Sequence, residues 1–293
     1  MKLNDNFLKL YSDIASDKKC KVIDVLNEDG NIAINDTIDE KYKGVLELHN
    51  CMNNPLYFLD KLKINVNDEL IPMPIDITGF MSIKLVHTNK NNIVVDHPKG
   101  THVNDLIIGY MMYKLLFTDE CIMFYTTDKY SEAKNMDISK LYDNIPKYLK
   151  IKPLNELSSR ILYHNYDKEQ FEKLNSNNIN IGLIIYMNVS DLAPSKFLLD
   201  TGITTIISNS SGDSRNIKYR FTKDHSGHNF KMLNYDVKTL GYSNEWIKEQ
   251  FEKLDNNTDR LLKEIFMLYD DMTDEEAESL EEKYKANHYT KSE

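Results

Sequence analysis

The sequence predicts an α/β fold, a mostly parallel sheet flanked by helices, with helical segments at both ends. Three features carry that prediction. A short β-branched run at "NNIVVDH" and strand-like apolar runs at "CIMFYTT", "NIGLIIYMNV" and "ITTIISNSS" recur, stretches with helical apolar spacing stand among them, and each run ends in a polar loop. Strands alternating with helices favour parallel pairing, because a parallel neighbour needs a crossover long enough to hold a helix. Ligands of such sheets sit at the carboxyl ends of the strands. Here those ends are 96–101, 126–129, 188–191 and 208–212.

Taken in order, "FLKLYSDIA" near the start has helical spacing and "NEDGN" reads as a polar turn. "EKYKGVLELHNCM" is a second helix. "NNPLYFLDKLKINV" leads into "ELIPMPIDITGF", where two prolines exclude a long central element. Residues 82–88 read as a helix end or a strand. After "NNIVVDH", a helix starting at Asn104 carries Leu106, Ile107, Tyr110, Met111, Leu115 and Leu116 on one stripe. "YSEAKNMDISKLYDNIPKYL" is another amphipathic helix. In the tail, "SNEWIKEQFEKLD" places Trp246, Ile247, Phe251 and Leu254 near one face, with Trp246 as an anchor to the sheet. "TDRLLKEIFMLY" repeats the pattern, and "TDEEAESLEEKYK" opens on a Thr273-x-x-Glu276 capping box but is otherwise polar.

With 293 residues, 41% of them hydrophobic, the chain can bury a substantial core. No run approaches the length of a membrane span, and the N-terminal apolar stretch carries charges and no small-residue cleavage site, unlike a signal peptide. Cys20, Cys51 and Cys121 are widely spaced and fit reduced thiols, neither a disulfide framework nor a thiolate metal site. The net charge of −10 disfavours duplex DNA as a partner, since sequence-independent affinity comes from Lys and Arg neutralising phosphates.

The stretch "VVDHPKGTHVNDLIIGYMMY" has the layout of a phosphate-binding loop: an apolar run, a short Pro/Gly loop, then a helix. Lys99-Gly100-Thr101 is the only part close to that motif, and Gly-Lys-Ser/Thr is missing. An ordinary surface loop is the plainer reading, although Lys99 with Asp96 or Asp191 leaves an offset phosphate and metal route open. His225-x-x-His228 reads as a solvated loop sooner than as metal ligands. His97 and His102 flank the loop as titratable groups without a placed nucleophile. Lys129 ends a strand where lysine is ordinarily just exposed.

The order of these pieces resembles the ATPase domain of the large terminase subunit, the DNA-packaging motor of tailed bacteriophages. The pieces are "NEDGN" and "NPLYFLDKLKI" ahead of the loop, "GYMMYKLLF" after it, then "CIMFYTTDK", "NIPKYL", "GLIIYMNV", "TTIISNSSGD", and finally "NEWIKEQFEKL" with "LLKEIFMLYDD". The resemblance runs in order from about residue 20 to 272 and implies a P-loop-NTPase-like sheet. It also implies a division into an N-terminal helical segment at 1–50, a core at 51–242 and a C-terminal helical extension at 243–293. It leaves no room for that family's nuclease domain.

The departures from the family pattern shape the functional expectation. Aligned on the helix, Lys99 falls at the family's leading Arg, His102 at the motif Gly, Val103 at the catalytic Lys and Asn104 at the magnesium-binding Ser/Thr. Asn188 and Val189 stand where the Walker B strand carries Asp-Glu, and Ser208, Asn209 and Ser210 fall in the coupling loop. Valine cannot neutralise phosphate, and neutral Asn is a poor magnesium anchor. The resemblance therefore implies a phage pseudo-ATPase with no catalytic residue, metal or cofactor. It would serve as a structural or regulatory partner of the packaging motor, the portal or another virion part, in the host cytoplasm or the virion. Weak ATP or ADP binding stays open. So do two other readings, a divergent ATPase with a non-standard site and a DNA-binding accessory.

Overall fold

The structure, a computed structural model, describes residue 31 and residues 40–66, 68–75, 83–84, 86–88, 92–126, 138–163, 179–187, 203–209, 230–234, 237 and 240–266. Outside these fall the expected N-terminal helix, Asn188, Val189, Asp191, Ser210, Lys129, the pair His225 and His228, and the acidic segment from Thr273. The chain divides into two compact units, one from 1–75, 105–121 and 136–161, the other from 76–104, 122–135 and 162–293.

In the first unit, helix α1 spans Glu40–Asn53 and α2 spans Pro55–Asp60. Asn54 separates them for a local reason. Its side-chain oxygen accepts the N–H groups of Leu56 and Tyr57, and Pro55 takes the first helical position, where a missing N–H costs nothing. Strands β1 (Lys63–Val66) and β2 (Glu69–Pro72) then form an antiparallel hairpin, with Asp68 at φ 66 in its turn. The two prolines do limit this stretch, and what they permit is a four-residue strand. Residues 83–84 and 86–88 are helical.

Helix α3, Val103–Phe117, begins one residue earlier than the spacing suggests. Its apolar surface exceeds the expected stripe, since Met112 and Tyr113 are buried along with Leu106, Ile107, Tyr110, Met111, Leu115 and Leu116. A helix apolar on most sides belongs in a core. Within the first unit, Phe58 packs edge-on to Phe117 with ring centres 5.6 Å apart and tilts against Tyr113 at 5.8 Å. The helix end is closed from a distance. Lys152 Nζ and Arg160 Nη1 each donate to the Thr118 carbonyl at 2.8 Å, and Arg160 Nη2 also donates to Leu115 O. Cations placed there satisfy the last carbonyls and oppose the helix dipole. Helices α4 (Ile138–Asn144) and α5 (Leu154–Ser159) bracket a 3₁₀ turn at Lys147–Leu149.

The second unit is built on a six-stranded sheet. With β3 Asn92–Asp96, β4 Cys121–Thr126, β5 Ile161–Tyr163, β6 Ile181–Met187, β7 Thr205–Asn209 and β8 Phe230–Asn234, its order is β5-β4-β6-β7-β3-β8. The pairs β6–β7, β7–β3 and β3–β8 are parallel. Burial is nearly continuous along β3 and β6, as for strands covered on both faces. The register sets the carboxyl ends level: Asp96 pairs with Asn209 on one side and with Asn234 on the other, and Ser208 pairs with Val95 and Met187. The loop after β3 therefore leaves the sheet beside the end of β7.

Gly109 gives the sharpest test of the first unit's core. A Cβ there would stand 2.6 Å from Leu59 Cδ2, 3.1 Å from Leu62 Cδ1 and 3.3 Å from Met73 Cε. Alanine favours the helix by about 1 kcal/mol, but Leu59 and Leu62 are fully buried and cannot swing into solvent. Gly109→Ala is expected to lower stability by about 1 kcal/mol net, the overpacking outweighing the propensity gain. Urea unfolding measures it, and a more stable variant would mean that the core has slack.

Candidate functional site

The loop at 97–104 starts where β3 stops, and its first residue is buried. His97 has 1% of its surface exposed. Its Nδ1 lies 3.0 Å from the Pro98 carbonyl oxygen and 2.9 Å from Thr101 Oγ1, and its Nε2 lies 2.9 Å from Ser208 Oγ and 3.2 Å from Asn104 Oδ1. The hydroxyls join the network themselves: Thr101 donates to Pro98 O at 2.8 Å and Ser208 to Asn104 Oδ1 at 2.5 Å. Thr101 is 8% exposed and Ser208 fully buried. The result is a closed polar knot at the carboxyl ends of β3 and β7.

A charged ring would donate from both nitrogens, to Pro98 and to Asn104, and those bonds act to raise its pKa. Burial acts the other way and prevails, pushing His97 down to about 4. The ring is therefore neutral near pH 7. It then donates from one nitrogen and accepts on the other, so one hydroxyl, that of Ser208 or of Thr101, turns its single proton to the ring instead of to Asn104 or Pro98.

The remaining loop residues face the C-terminal segment, where α6 spans Asn244–Lys253 and α7 (Thr258–Arg260) continues into a π turn at Leu261–Ile265. Lys99 donates its backbone N–H to the Glu264 carbonyl at 2.8 Å, and its ammonium meets Glu264 Oε2 at 2.9 Å. Glu264 also receives Arg260 Nε at 2.8 Å. Burial works against its charge, yet Arg260 and Lys99 together hold its carboxyl below the usual range. Gly100 takes φ +80, and a Cβ on it would stand 2.9 Å from Gln250 Oε1. Trp246 lies against the same point, 3.6 Å from that Cβ position, and rests on Tyr242. The sequence placed Trp246 as an anchor to the sheet; in the structure it packs on the cluster of Val237, Leu254 and Ile265 and backs the loop. The His102 N–H donates to Tyr242 Oη at 3.3 Å, and that of Thr101 to Pro98 O at 3.4 Å.

Of the residues picked out in the sequence, Lys99, Gly100, Thr101, His102, Val103, Asn104 and Ser208 thus lie at one end of the sheet. Val103 is 2% exposed as the first residue of α3. Asn209 ends β7 opposite Asp96. Sequence reasoning treated His97 only as a flank and did not identify Glu264, Tyr242 or Gln250 as part of the surroundings. A titratable residue directly after a buried strand is the one local signal for His97. Contacts spanning 111 residues to Ser208 and 165 to Glu264 have no local signal. Among the described residues, no group of three or more His, Cys, Asp or Glu side chains is placed to hold a metal, and no helix is long and apolar enough to cross a membrane.

The His97 pKa carries a stability prediction with a definite sign. Its folded value of about 4 lies below the ordinary 6.5, so the unfolded chain binds more protons between the two. The stability due to neutral His97 is complete above pH 6.5 and is lost as pH falls toward 4, on the order of 3 kcal/mol in full. The stability difference between wild type and His97→Gln should therefore shrink from pH 7 to pH 4 in urea titrations. A constant difference would place the pH dependence elsewhere.

No family model and no curated protein matches the chain. Among solved structures it is similar to the large terminase of a thermophilic bacteriophage, at 13% identity and a TM-score of 0.41. That match covers 67% of this chain and 54% of the terminase chain, so it spans about half of the latter's length.

Proposed function

We propose that the chain is a catalytically inactive, terminase-like phage protein that uses a nucleotide-binding type of fold as a platform for protein interaction. One observation carries the inactive part of this reading. In the loop that would cradle phosphate, the donors of Lys99, Thr101 and His102 are committed within the protein. Lys99 is bound to Glu264 through both main chain and side chain, and the N–H groups of Thr101 and His102 go to Pro98 O and Tyr242 Oη. A phosphate-binding loop works by aiming such donors at one anion. At the position of the family's catalytic lysine stands a buried valine. The setting comes from the sequence resemblance: a partner within the packaging motor, the portal or the virion, met in the host cytoplasm or the particle. The net charge of −10 favours a protein partner over duplex DNA. The division into a segment at 1–50, a core at 51–242 and an extension at 243–293 belongs to this proposal.

Thermal unfolding with and without millimolar Mg-ATP tests it. A ligand present at about 100 times its Kd and bound only to the native state would stabilise by about 2.7 kcal/mol, a shift of several degrees. No shift and no phosphate release above buffer are expected. A shift that Lys99→Ala removes, with turnover, would overturn the reading in favour of a divergent ATPase.

A further inference from the structure

We propose that residues 242–266 form a releasable strap over loop residues 99–102, locked by Glu264. Strap and loop meet at consecutive points. Glu264 holds Lys99 twice, Gln250 and Trp246 lie against Gly100, and Tyr242 accepts the His102 N–H. The two sides are nevertheless built differently. The strap packs on an apolar cluster of its own Leu254 and Ile265 with the preceding Val237, and Trp246, Ile247, Leu261 and Phe266 pack on that cluster. The loop is secured beneath by the buried knot of His97, Thr101, Asn104 and Ser208. The joint between them is mainly hydrogen bonds and charge, so each side can keep its own packing when the joint opens.

The lock itself is weak by construction. Lys99 is 56% exposed at its side chain and Arg260 44%, while the Glu264 carboxylate they share is 15% exposed. Ion pairs with one end in water contribute little and are screened by salt. Glu264 also sits in the π turn, where the Phe266 N–H reaches back to Leu261 O at 3.1 Å. π turns are uncommon and concentrate at functional positions. Opening the strap would free the Lys99 and His102 N–H groups and the Lys99 ammonium, and leave the sheet and the polar knot in place. The strap thereby decides whether the loop is presented to a partner. This goes beyond the interaction role, which would fail separately, through nucleotide binding by the wild-type chain.

The test is NMR-detected hydrogen exchange of the full chain at low and high sodium chloride, comparing the amides of Lys99 and His102 with those of Ile93, Val94 and Val95 in β3. The Lys99 and His102 amides are expected to exchange through an opening that β3 does not share, and salt should speed them. Glu264→Gln should speed both roughly fivefold at low salt, the scale of one exposed ion-pair network, and remove most of the salt response. Lys99→Gln, a change at an exposed side chain, should do the same at His102. Exchange at Lys99 and His102 that follows β3, or that ignores both salt and Glu264→Gln, would overturn the strap.

Discussion

A histidine ring buried to 1% at the end of a parallel strand persists only if both of its nitrogens are supplied with partners, because a polar atom left bare in the interior costs more than its hydrogen bond contributes. The chain around His97 meets that demand from three places: Pro98 and Thr101 in the loop, Asn104 in the first turn of α3, and Ser208 at the end of β7. The level register of β3 and β7, with Val95 opposite Ser208, brings the last of these within reach. A one-residue slip would send Ser208 to the other face of the sheet. The parallel pairing, the loop's path and the start of α3 are thus coupled through one imidazole.

That coupling supports the proposal that the loop holds no anion. An anion site needs donors that converge and stay open until the ligand arrives. Here Thr101 turns its hydroxyl inward to Pro98 and His97, and Lys99 turns outward to Glu264. The positive φ of Gly100 permits the reversal between them, and its missing Cβ leaves room for Gln250. The same residue types that suggest phosphate recognition in the sequence are divided between an internal network and the C-terminal segment.

The sheet was legible because its strands are β-branched runs bounded by polar turns, and alternation with helices points to parallel pairing. The hairpin of β1 and β2, the short β5 and the strand β8 were not, for separate reasons. β2 carries Pro72 and exposes Leu70, so it lacks the apolar alternation of a half-buried strand. β5 is three residues long, and β8 ("FKMLN") mixes lysine into its run. In the site, the collinear order of strand, loop and helix located 99–104, because neighbouring residues define it. The partners of that loop come from about 100 to 165 positions away, and sequence spacing holds no record of such meetings.

Residues 102–104 also fit one another as packing. Val103 opens α3 at 2% exposure, where an amine would have to be buried. Asn104 commits its side-chain oxygen to Ser208 and His97, and the hydroxyl of a Ser or Thr there would be too short to serve both in the same way. His102 contributes its main-chain N–H to the Tyr242 phenol. His102, Val103 and Asn104 are therefore each used by the structure they stand in. A substitution at any of them would meet a buried valine's surroundings, a filled hydrogen-bond network or a covered loop.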